Sequence, residues 1–158
     1  MAATTTDVKT YENFIDGEWS APAEGRTEGV LNPATGEEIA KAPLSTKEDV
    51  DRAVAAARRA FETWSVTTPM ERSNALLKLA DALEERADEL STLEVTNAGK
   101  PLEAFKADEV PALVDNLRFF AGAARLLEGK SAGEYLEGYT SWLRREPVGV
   151  VGQITPWN

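Results

Sequence analysis

The segment that most constrains the fold is the apolar run Val148–Ile154, VGVVGQI, near the end of the sequence. It is short, uncharged and rich in β-branched residues, which is typical of a strand buried on both faces inside a sheet. Such a strand needs hydrogen-bonding neighbours along both edges, and only four residues follow it. We therefore expect the chain to be one part of a longer α/β protein.

Two turn signals near the beginning predict antiparallel hairpins. Asp16-Gly17 lies between apolar residues in YENFIDGEW, and Asp-Gly is a strong two-residue hairpin signal because glycine tolerates positive φ. In VLNPATGEEIAKA, Pro33 presets φ and Gly36 takes the remaining unusual conformation. We expect hairpins over residues 11–19 and 30–42.

Amphipathic helical stretches follow, and two of their starts have sequence signals. Ser45 with Glu48 is a capping-box pattern, in which each residue satisfies a backbone N–H of the other. Thr68-Pro69 with Glu71 predicts a second start, with proline at the first helical position, where its missing N–H costs little.

The helical stops are also marked. Gly99 follows the last turn of the second stretch, in which we expect a break near Arg86. The third stretch is Glu103–Leu127, and Pro111 places the start of its main helix between Asp108 and Val110. Apolar residues at helical spacing predict three core faces. The residues are Val50, Val54, Ala57, Phe61 and Trp64; Leu76, Ala80, Leu83, Ala87 and Leu90; and Val110, Leu113, Leu117, Ala121 and Ala124.

Composition excludes several classes of function. A net charge of −10, from 17 basic and 27 acidic residues, argues against a nucleic-acid partner. No apolar run is long enough to span a membrane, and Met1–Thr10 lacks the apolar core of a secretory signal, so we expect a cytoplasmic protein. The absence of cysteine and histidine excludes Cys/His metal sites and a cysteine nucleophile within these residues, and we expect no metal.

Seven segments together resemble the N-terminal third of the aldehyde dehydrogenase superfamily. In chain order they are FIDGEW, LNPATGEEIA, EDVDRAVAAARRAFETW, ERSNALLKLADALEER, NAGKP, LRFFAGAA and REPVGVVGQITPWN. Each segment alone is weakly specific, whereas the ordered set runs from about Asn13 to Asn158. REPVGVVGQITPWN is its most specific part.

The resemblance implies an α/β subunit with a Rossmann-like NAD-binding domain, a catalytic domain and a small β oligomerisation domain, assembled as a dimer or homotetramer. The chain would be an incomplete, N-terminal portion of that fold. Residues 1–133, hairpins and amphipathic helices, would pack on the NAD-binding domain. Residues 134–147, polar and loosely alternating, would form an oligomerisation strand. Residues 148–158 would form the first strand of the Rossmann-like sheet and a cofactor loop.

The family reaction oxidises a small-molecule aldehyde to the carboxylic acid, through a thiohemiacetal on a cysteine that this chain lacks, with NAD as cofactor. The sequence does not exclude NADP. Asn158 matches the family's asparagine that donates to the oxyanion, a task that suits a neutral amide. Ile154, Thr155, Pro156 and Trp157 match the segment that contacts the cofactor, at the carboxyl end of the strand.

Within the superfamily, residues 108–151 resemble bacterial gamma-aminobutyraldehyde dehydrogenases in particular. Those enzymes oxidise 4-aminobutanal in putrescine degradation. Asp108 and Glu109 are then candidates to attract the ammonium group of the substrate. The alternative interpretation is a solvated first helical turn, where acids favour the helix dipole. Lys100 after Gly99 is not a P-loop lysine, because the glycine spacing and the following Ser or Thr are absent.

Three interpretations of the whole chain remain open. The first is part of an aldehyde-oxidising enzyme, inactive by itself. The second is a non-catalytic module that binds full-length subunits through its oligomerisation strand, and the third is a functionless gene remnant. The DNA after the Asn158 codon separates them: an open frame that later encodes a cysteine nucleophile favours the first, and a stop codon favours the others.

Overall fold

A computed structural model describes residues 8–156 of the chain. The described residues form seven strands, five α-helices and one π-helical turn. The strands are β1 (Lys9–Thr10), β2 (Asn13–Ile15), β3 (Glu18–Ser20), β4 (Thr27–Leu31), β5 (Glu38–Pro43), β6 (Ser131–Leu136) and β7 (Tyr139–Trp142). The helices are α1 (Lys47–Trp64), α2 (Pro69–Glu85), α3 (Ala87–Ala98), α4 (Leu102–Ala104), the π turn (Phe105–Glu109) and α5 (Val110–Ala123).

Both predicted hairpins are confirmed. β2 and β3 pair antiparallel around Asp16 and Gly17, whose φ angles of 58° and 83° match the left-handed conformation that a two-residue turn demands. β4 and β5 pair antiparallel around the NPATG turn, where Gly36 has a φ of 75° and its N–H donates to the Asn32 carbonyl at 2.8 Å. β1 adds to the other edge of β5 in parallel, a pairing that local sequence signals do not reveal.

The start of α1 corrects the prediction by one residue. Thr46, not Ser45, is the N-cap, and Asp49, not Glu48, completes the capping box. The Asp49 carboxylate accepts from the Thr46 backbone N–H at 2.9 Å and from the Ala23 N–H at 3.0 Å. The second contact comes from the loop between β3 and β4. A tertiary contact therefore favours Asp49 over Glu48 as the acid that completes the capping box.

The boundaries of the next two helices agree with the sequence, whereas α5 ends at Ala123, four residues before the predicted end at Leu127. The Thr68 N–H donates to Glu71 Oε2 at 2.7 Å, and the Glu71 N–H donates back to Thr68 Oγ1 at 3.3 Å, with Pro69 as the first helical residue. The break falls at Arg86, between α2 and α3. Gly99 ends α3 with a φ of 75°, in the left-handed conformation that favours glycine.

The tightest packing in the described residues lies between α2 and α5. Ala80 of α2 and Val114 and Ala121 of α5 are almost completely buried. Small side chains at this contact let the two helix backbones approach closely, and Arg118 of α5 donates to Asp81 of α2 at 3.0 Å. The predicted core positions Ala80 and Ala121 are therefore confirmed.

Other predicted core positions are wrong for the part of the chain that the structure describes. The exposed fractions of Val50, Trp64 and Leu113 are 56%, 49% and 50%. α1 instead buries Asp49 and Ala56. An amphipathic face becomes core only where another element covers it, and no described element covers these three side chains fully.

The segment over 134–147, predicted as a single strand with a role in oligomerisation, contains part of a hairpin instead. β6 begins at Ser131 and pairs antiparallel with β7, and Leu136 and Tyr139 flank the turn. Gly138 has a φ of 79°, so Glu137-Gly138 provides a chain reversal that was not predicted from the sequence. Residues 143–147 lie outside the strands, although the Leu143 N–H still donates to the Lys130 carbonyl at 2.7 Å.

The strand predicted over Val148–Ile154 is absent from the described residues. The exposed fractions of Val148 and Val151 are 92% and 67%, and Ile154 is fully exposed. A strand exists through hydrogen bonds to a neighbour, and no described segment pairs with this one. Its apolar side chains are exposed to solvent.

Candidate functional site

The two candidate substrate acids lie in the π turn that precedes α5. Asp108 and Glu109 are both exposed. The turn is defined by the Val110 N–H, which donates to the Phe105 carbonyl five residues earlier. The predicted start of the main helix is confirmed at Val110, although helical backbone already begins at Leu102. Single π turns inside helices frequently occur at functional sites.

Lys100 holds one end of this turn. Its Nζ lies 2.8 Å from Glu109 Oε2, 3.2 Å from Glu94 Oε1 and 5.0 Å from the centre of the Phe105 ring. Only 19% of the Lys100 side chain is exposed. The hydrogen bond to Glu109 raises the pKa of Lys100 above its usual value, because the carboxylate stabilises the ammonium form.

A second ion pair ties the turn to α3. Lys106 Nζ lies 2.7 Å from Asp88 Oδ1 at the start of that helix. The hydrogen bond to Lys106 lowers the pKa of Asp88, and the same bond raises the pKa of Lys106. Within residues 8–156, no ion pair and no side-chain hydrogen bond engages Asp108. The two neighbouring acids therefore differ in what they contact.

The contacts of Lys100 were not predicted from the sequence, where the spacing around this lysine excluded only a phosphate-binding role. A usable signal was present, since a lysine directly after a helix-ending glycine can reach back toward the helix C-terminus. Its pairing with Glu109 depends on the path of α4 and the π turn, which local patterns do not specify.

The candidate cofactor segment is open to solvent. Ile154, Thr155 and Pro156 are all exposed. Trp157 and Asn158 lie outside the described residues. In the described part of the chain, no hydrogen bond or ion pair connects this segment with the π turn.

A cleft of about 590 Å³ lies where the final segment leaves the helices. It joins the end of α1 and the loop after it to residues 144–149. Arg72 donates through Nη1 to the Thr67 carbonyl at its wall, and Arg145 Nε donates to the Glu128 carbonyl at 3.3 Å. The first contact lies between α2 and the loop before it, and the second joins residue 145 to the segment between α5 and β6. The lining residues are Phe61, Trp64, Ser65, Val66, Thr67, Arg72, Leu127, Arg144, Arg145, Glu146, Pro147, Val148 and Gly149.

The described residues lack two further features, a membrane-spanning helix and a cluster of metal-binding side chains. No helix there combines the length and apolar character needed to cross a membrane. No cluster of three or more potential metal-binding side chains occurs in residues 8–156.

Comparison with known proteins gives the family. The family model "Aldehyde dehydrogenase family" matches residues 19–158, and the chain belongs to that family. It is 43% identical over 148 residues to a fluoroacetaldehyde dehydrogenase of Streptantibioticus cattleyicolor, covering 94% of this chain and 29% of that protein. It is also 43% identical over 155 residues to a malonate-semialdehyde dehydrogenase of Bacillus pumilus, covering 98% and 32%. The chain thus spans about a third of the length of these relatives.

The fold agrees with solved members of the family. A betaine aldehyde dehydrogenase variant from Staphylococcus aureus, solved in complex with NAD⁺, superposes with a TM-score of 0.89 at 39% identity. The superposition covers 94% of this chain and 30% of that structure. The mixed α/β architecture therefore corresponds to a portion of an aldehyde dehydrogenase subunit.

Proposed function

We propose that the full-length protein containing this chain is an NAD(P)-dependent aldehyde dehydrogenase that oxidises a small aldehyde to its carboxylic acid. The observation that carries the proposal is the family match over residues 19–158, which includes nearly the whole chain. The exposed apolar residues support it, because they leave surfaces for a larger subunit to cover. Examples are Leu79, Leu93, Phe119 and Phe120, which are between 48% and 67% exposed.

The side chains of the candidate cofactor segment are chemically suited to contact a nicotinamide cofactor. Ile154 offers an exposed apolar side chain to a ring, and the Thr155 hydroxyl can hydrogen-bond to a ribose or an amide. Pro156 fixes its own φ and restricts the backbone of Thr155 before it. The described residues provide only this edge of a site, so the phosphate contacts belong to other parts of the subunit. When bound, the nicotinamide supplies the hydride acceptor.

Asn158 is proposed to donate its side-chain amide to the oxygen of the aldehyde as negative charge develops there. An amide donor in place beforehand stabilises that charge without releasing a proton to it. Because the interaction strengthens in the transition state, its loss lowers kcat more than it weakens cofactor binding.

We further propose that the aldehyde is 4-aminobutanal. The proposal rests on the resemblance of residues 108–151 and on an acidic, exposed π turn that carries Asp108 and Glu109. The two relatives described above are named for a fluorinated and a carboxylated aldehyde, so substrate choice varies among proteins that share this part of the fold.

The β6–β7 hairpin is proposed to join the oligomerisation surface of a dimer or tetramer. Large side chains along it are exposed, including Tyr135 at 81% and Trp142 at 63%. A hairpin with open edges and exposed aromatic residues is a surface that association would cover.

The test is made on the full-length enzyme with the oxyanion donor removed. Asn158→Ala is expected to lower kcat for aldehyde oxidation by about 100- to 1000-fold while the Kd for NAD changes little. Gln153→Ala, which removes another neutral amide five residues earlier, is the matched control and is expected to retain activity. A variant with normal kcat and weakened NAD binding would instead move Asn158 to the cofactor site, and an enzyme without NAD- or NADP-linked aldehyde oxidation would refute the proposal.

A further inference from the structure

Asp16-Gly17 is the only place in the chain where a glycine follows an aspartate or an asparagine. The two residues form the turn between β2 and β3, and both are exposed to solvent. The backbone nitrogen that follows an aspartate can attack the side-chain carboxyl carbon and close a five-membered ring. A glycine nitrogen is the least hindered for this attack, because glycine has no Cβ. The turn therefore combines the reactive pair with access to solvent.

The attacking nitrogen is free in the folded hairpin. Within residues 8–156, the Gly17 N–H donates no hydrogen bond. A Cβ placed on Gly17 would meet no atom within 4 Å, so water and buffer reach this part of the backbone. Asp51, Asp81 and Asp115 lie instead inside helices, where the nitrogen of the next residue donates to the helical backbone. The free nitrogen distinguishes Asp16 from these three aspartates.

The Asp16 backbone has a conformation that isomerisation would relieve. Its φ of 58° is left-handed, and an L residue with a side chain adopts that region at a cost. In an isoaspartate the main chain runs through the side-chain carbon instead of the α-carbonyl. The residue is then no longer held in the left-handed conformation.

One contact restrains the Asp16 carboxylate. Arg59 Nη2 of α1 lies 2.7 Å from Asp16 Oδ2, and 62% of the Asp16 side chain is exposed. Ring closure requires the carboxyl carbon to turn toward the Gly17 nitrogen, whereas the guanidinium holds the carboxylate toward α1. The ion pair therefore opposes the rotation that the reaction needs, by the modest amount that exposed ion pairs contribute.

We propose that Asp16 is a site of spontaneous isomerisation to isoaspartate, and that Arg59 is the positioning residue that slows the reaction. The Gly17 nitrogen forms a bond to Asp16 Cγ and loses its proton, and the carboxyl group loses a hydroxyl, so that one water leaves and a succinimide forms. One water then adds to the ring and breaks the bond between the Gly17 nitrogen and the Asp16 main-chain carbonyl carbon. The total mass is unchanged, and nothing is oxidised or reduced. This chemistry does not depend on the proposed function.

The product would alter the hairpin and its link to α1. Isoaspartate adds one methylene group to the main chain of a turn that joins two paired strands through only two residues. The Phe14 and Trp19 rings, 4.9 Å apart across the strands, lose the register that brings them together. The carboxyl group of the product leaves from the α-carbon, so it no longer occupies the position that Arg59 contacts.

The experiment incubates the full-length protein at neutral pH and physiological temperature and follows isoaspartate over time. Trypsin cleaves after Lys9 and Arg26, and the peptide between them contains Asp16 as its only aspartate. Electron-transfer fragmentation of this peptide distinguishes isoaspartate from aspartate, and methylation by a protein isoaspartyl methyltransferase gives an independent measure. Isoaspartate is expected to form faster at Asp16 than at the other aspartates of the chain. The protein unfolded in guanidinium chloride is expected to react faster still, because the ion pair is then lost.

Variants of Arg59 test its role. Arg59→Gln is expected to raise the rate about two- to fivefold, as for the loss of an exposed ion pair, and Arg59→Lys should restore a rate near that of the wild type. Arg58→Gln makes the same change of charge at the neighbouring position of α1 and is the matched control, with no change expected. Asp16→Asn keeps a favourable turn and forms the same succinimide with loss of ammonia, so it is the positive control for ring closure.

Each outcome decides a separate point. Absence of isoaspartate from the Asp16 peptide, in the wild type and in Arg59→Gln, overturns the site. Equal rates in the wild type and Arg59→Gln refute the role given to Arg59. Equal acceleration by Arg59→Gln and Arg58→Gln, accompanied by a loss of helical circular dichroism, would mean that both changes act by destabilising α1, and the positioning role is refuted in that case too.

Discussion

Among single residues, Asp49 connects two segments of the N-terminal part that lie far apart in the sequence. Its carboxylate is 2% exposed and joins the loop before β4 to the start of α1 through the N–H groups of Ala23 and Thr46. The Thr46 N–H lowers the pKa of Asp49 below its usual value, with smaller contributions from Ala23 and from the Arg52 guanidinium 3.6 Å away. The carboxylate form is therefore favoured by folding.

We predict that Asp49→Asn lowers the Tm of the chain by about 5 °C at neutral pH. The amide accepts more weakly than the carboxylate, and its NH₂ group cannot accept at all. Asp51→Asn, which breaks only the exposed pair with Lys47, is the control and should change the Tm little.

The effect of Asp49→Asn on the Tm is also expected to depend on pH. Because the pKa of Asp49 is depressed in the folded state, its contribution is complete above the usual value of 3.8 and is lost as pH falls through the lower folded value. The Tm difference between the wild type and Asp49→Asn should therefore shrink below about pH 3.8. Thermal melts followed by circular dichroism from pH 7 to below pH 3 measure it, and a difference independent of pH would contradict the role given to the charge.

Among the secondary-structure elements, α2 is the best defined by its own sequence. Thr68 and Glu71 satisfy each other's backbone N–H groups, and Pro69 occupies the position where a missing N–H costs least. These interactions lie within four residues. The opposite face of the same helix carries Ala80, which is fully buried against α5.

We predict that Thr68→Ala lowers the free energy of unfolding by about 1 kcal/mol, since the Glu71 N–H loses its acceptor. The control is Thr92→Ala in α3, where the hydroxyl bonds only to the Asp88 carbonyl at 2.8 Å and alanine is the better helix former. Urea denaturation gives both values. Equal losses for the two variants would show that the cap at Thr68 contributes nothing beyond an ordinary helical position.

Over the whole molecule, the described residues divide into a packed helical part and exposed C-terminal segments. α2 and α5 share the tightest core, and Arg125 Nε of the segment after α5 donates to Ser73 Oγ of α2 at 3.0 Å. The residues Val148–Ile154 have no hydrogen-bonded neighbour in the described part, and their side chains are exposed.

We predict that hydrogen exchange in this 158-residue chain is slow in the interior of α2 and α5 and close to the rate of unstructured peptide over 148–156. Protection requires hydrogen bonds that break only on local or global opening, which the final segment lacks. Strong protection over 148–154 in a monomer would mean that the segment has found a strand partner and that the exposed conformation is incorrect. Protection that appears only with association would indicate edge pairing between copies.

We also predict that these 158 residues alone do not oxidise aldehydes. They contain no cysteine, and the candidate cofactor residues Ile154, Thr155 and Pro156 are exposed to solvent. NADH formation with 4-aminobutanal or butanal is the assay, with the full-length enzyme as the positive control. Turnover within the usual enzyme range of about 1–1000 per second would contradict the prediction.

The sequence by itself determined the features that depend on a few neighbouring residues. The Asp16-Gly17 turn, the Thr68 cap and the stop at Gly99 were all predictable, because φ preferences and capping hydrogen bonds act over one to four residues. The order of seven short motifs also predicted the family. The roles of Asn158 and of the cofactor segment stay predictions.

Only the tertiary structure decided the features that depend on residues far apart in the chain. Ala23, 26 residues before Asp49, selects the cap of α1. The path through α4 and the π turn brings Glu109 to Lys100. The exposure of Val148–Ile154 also depends on distant residues. Burial and strand pairing require another segment that packs against or pairs with this one, and the apolar sequence of a segment indicates only that such a partner is needed.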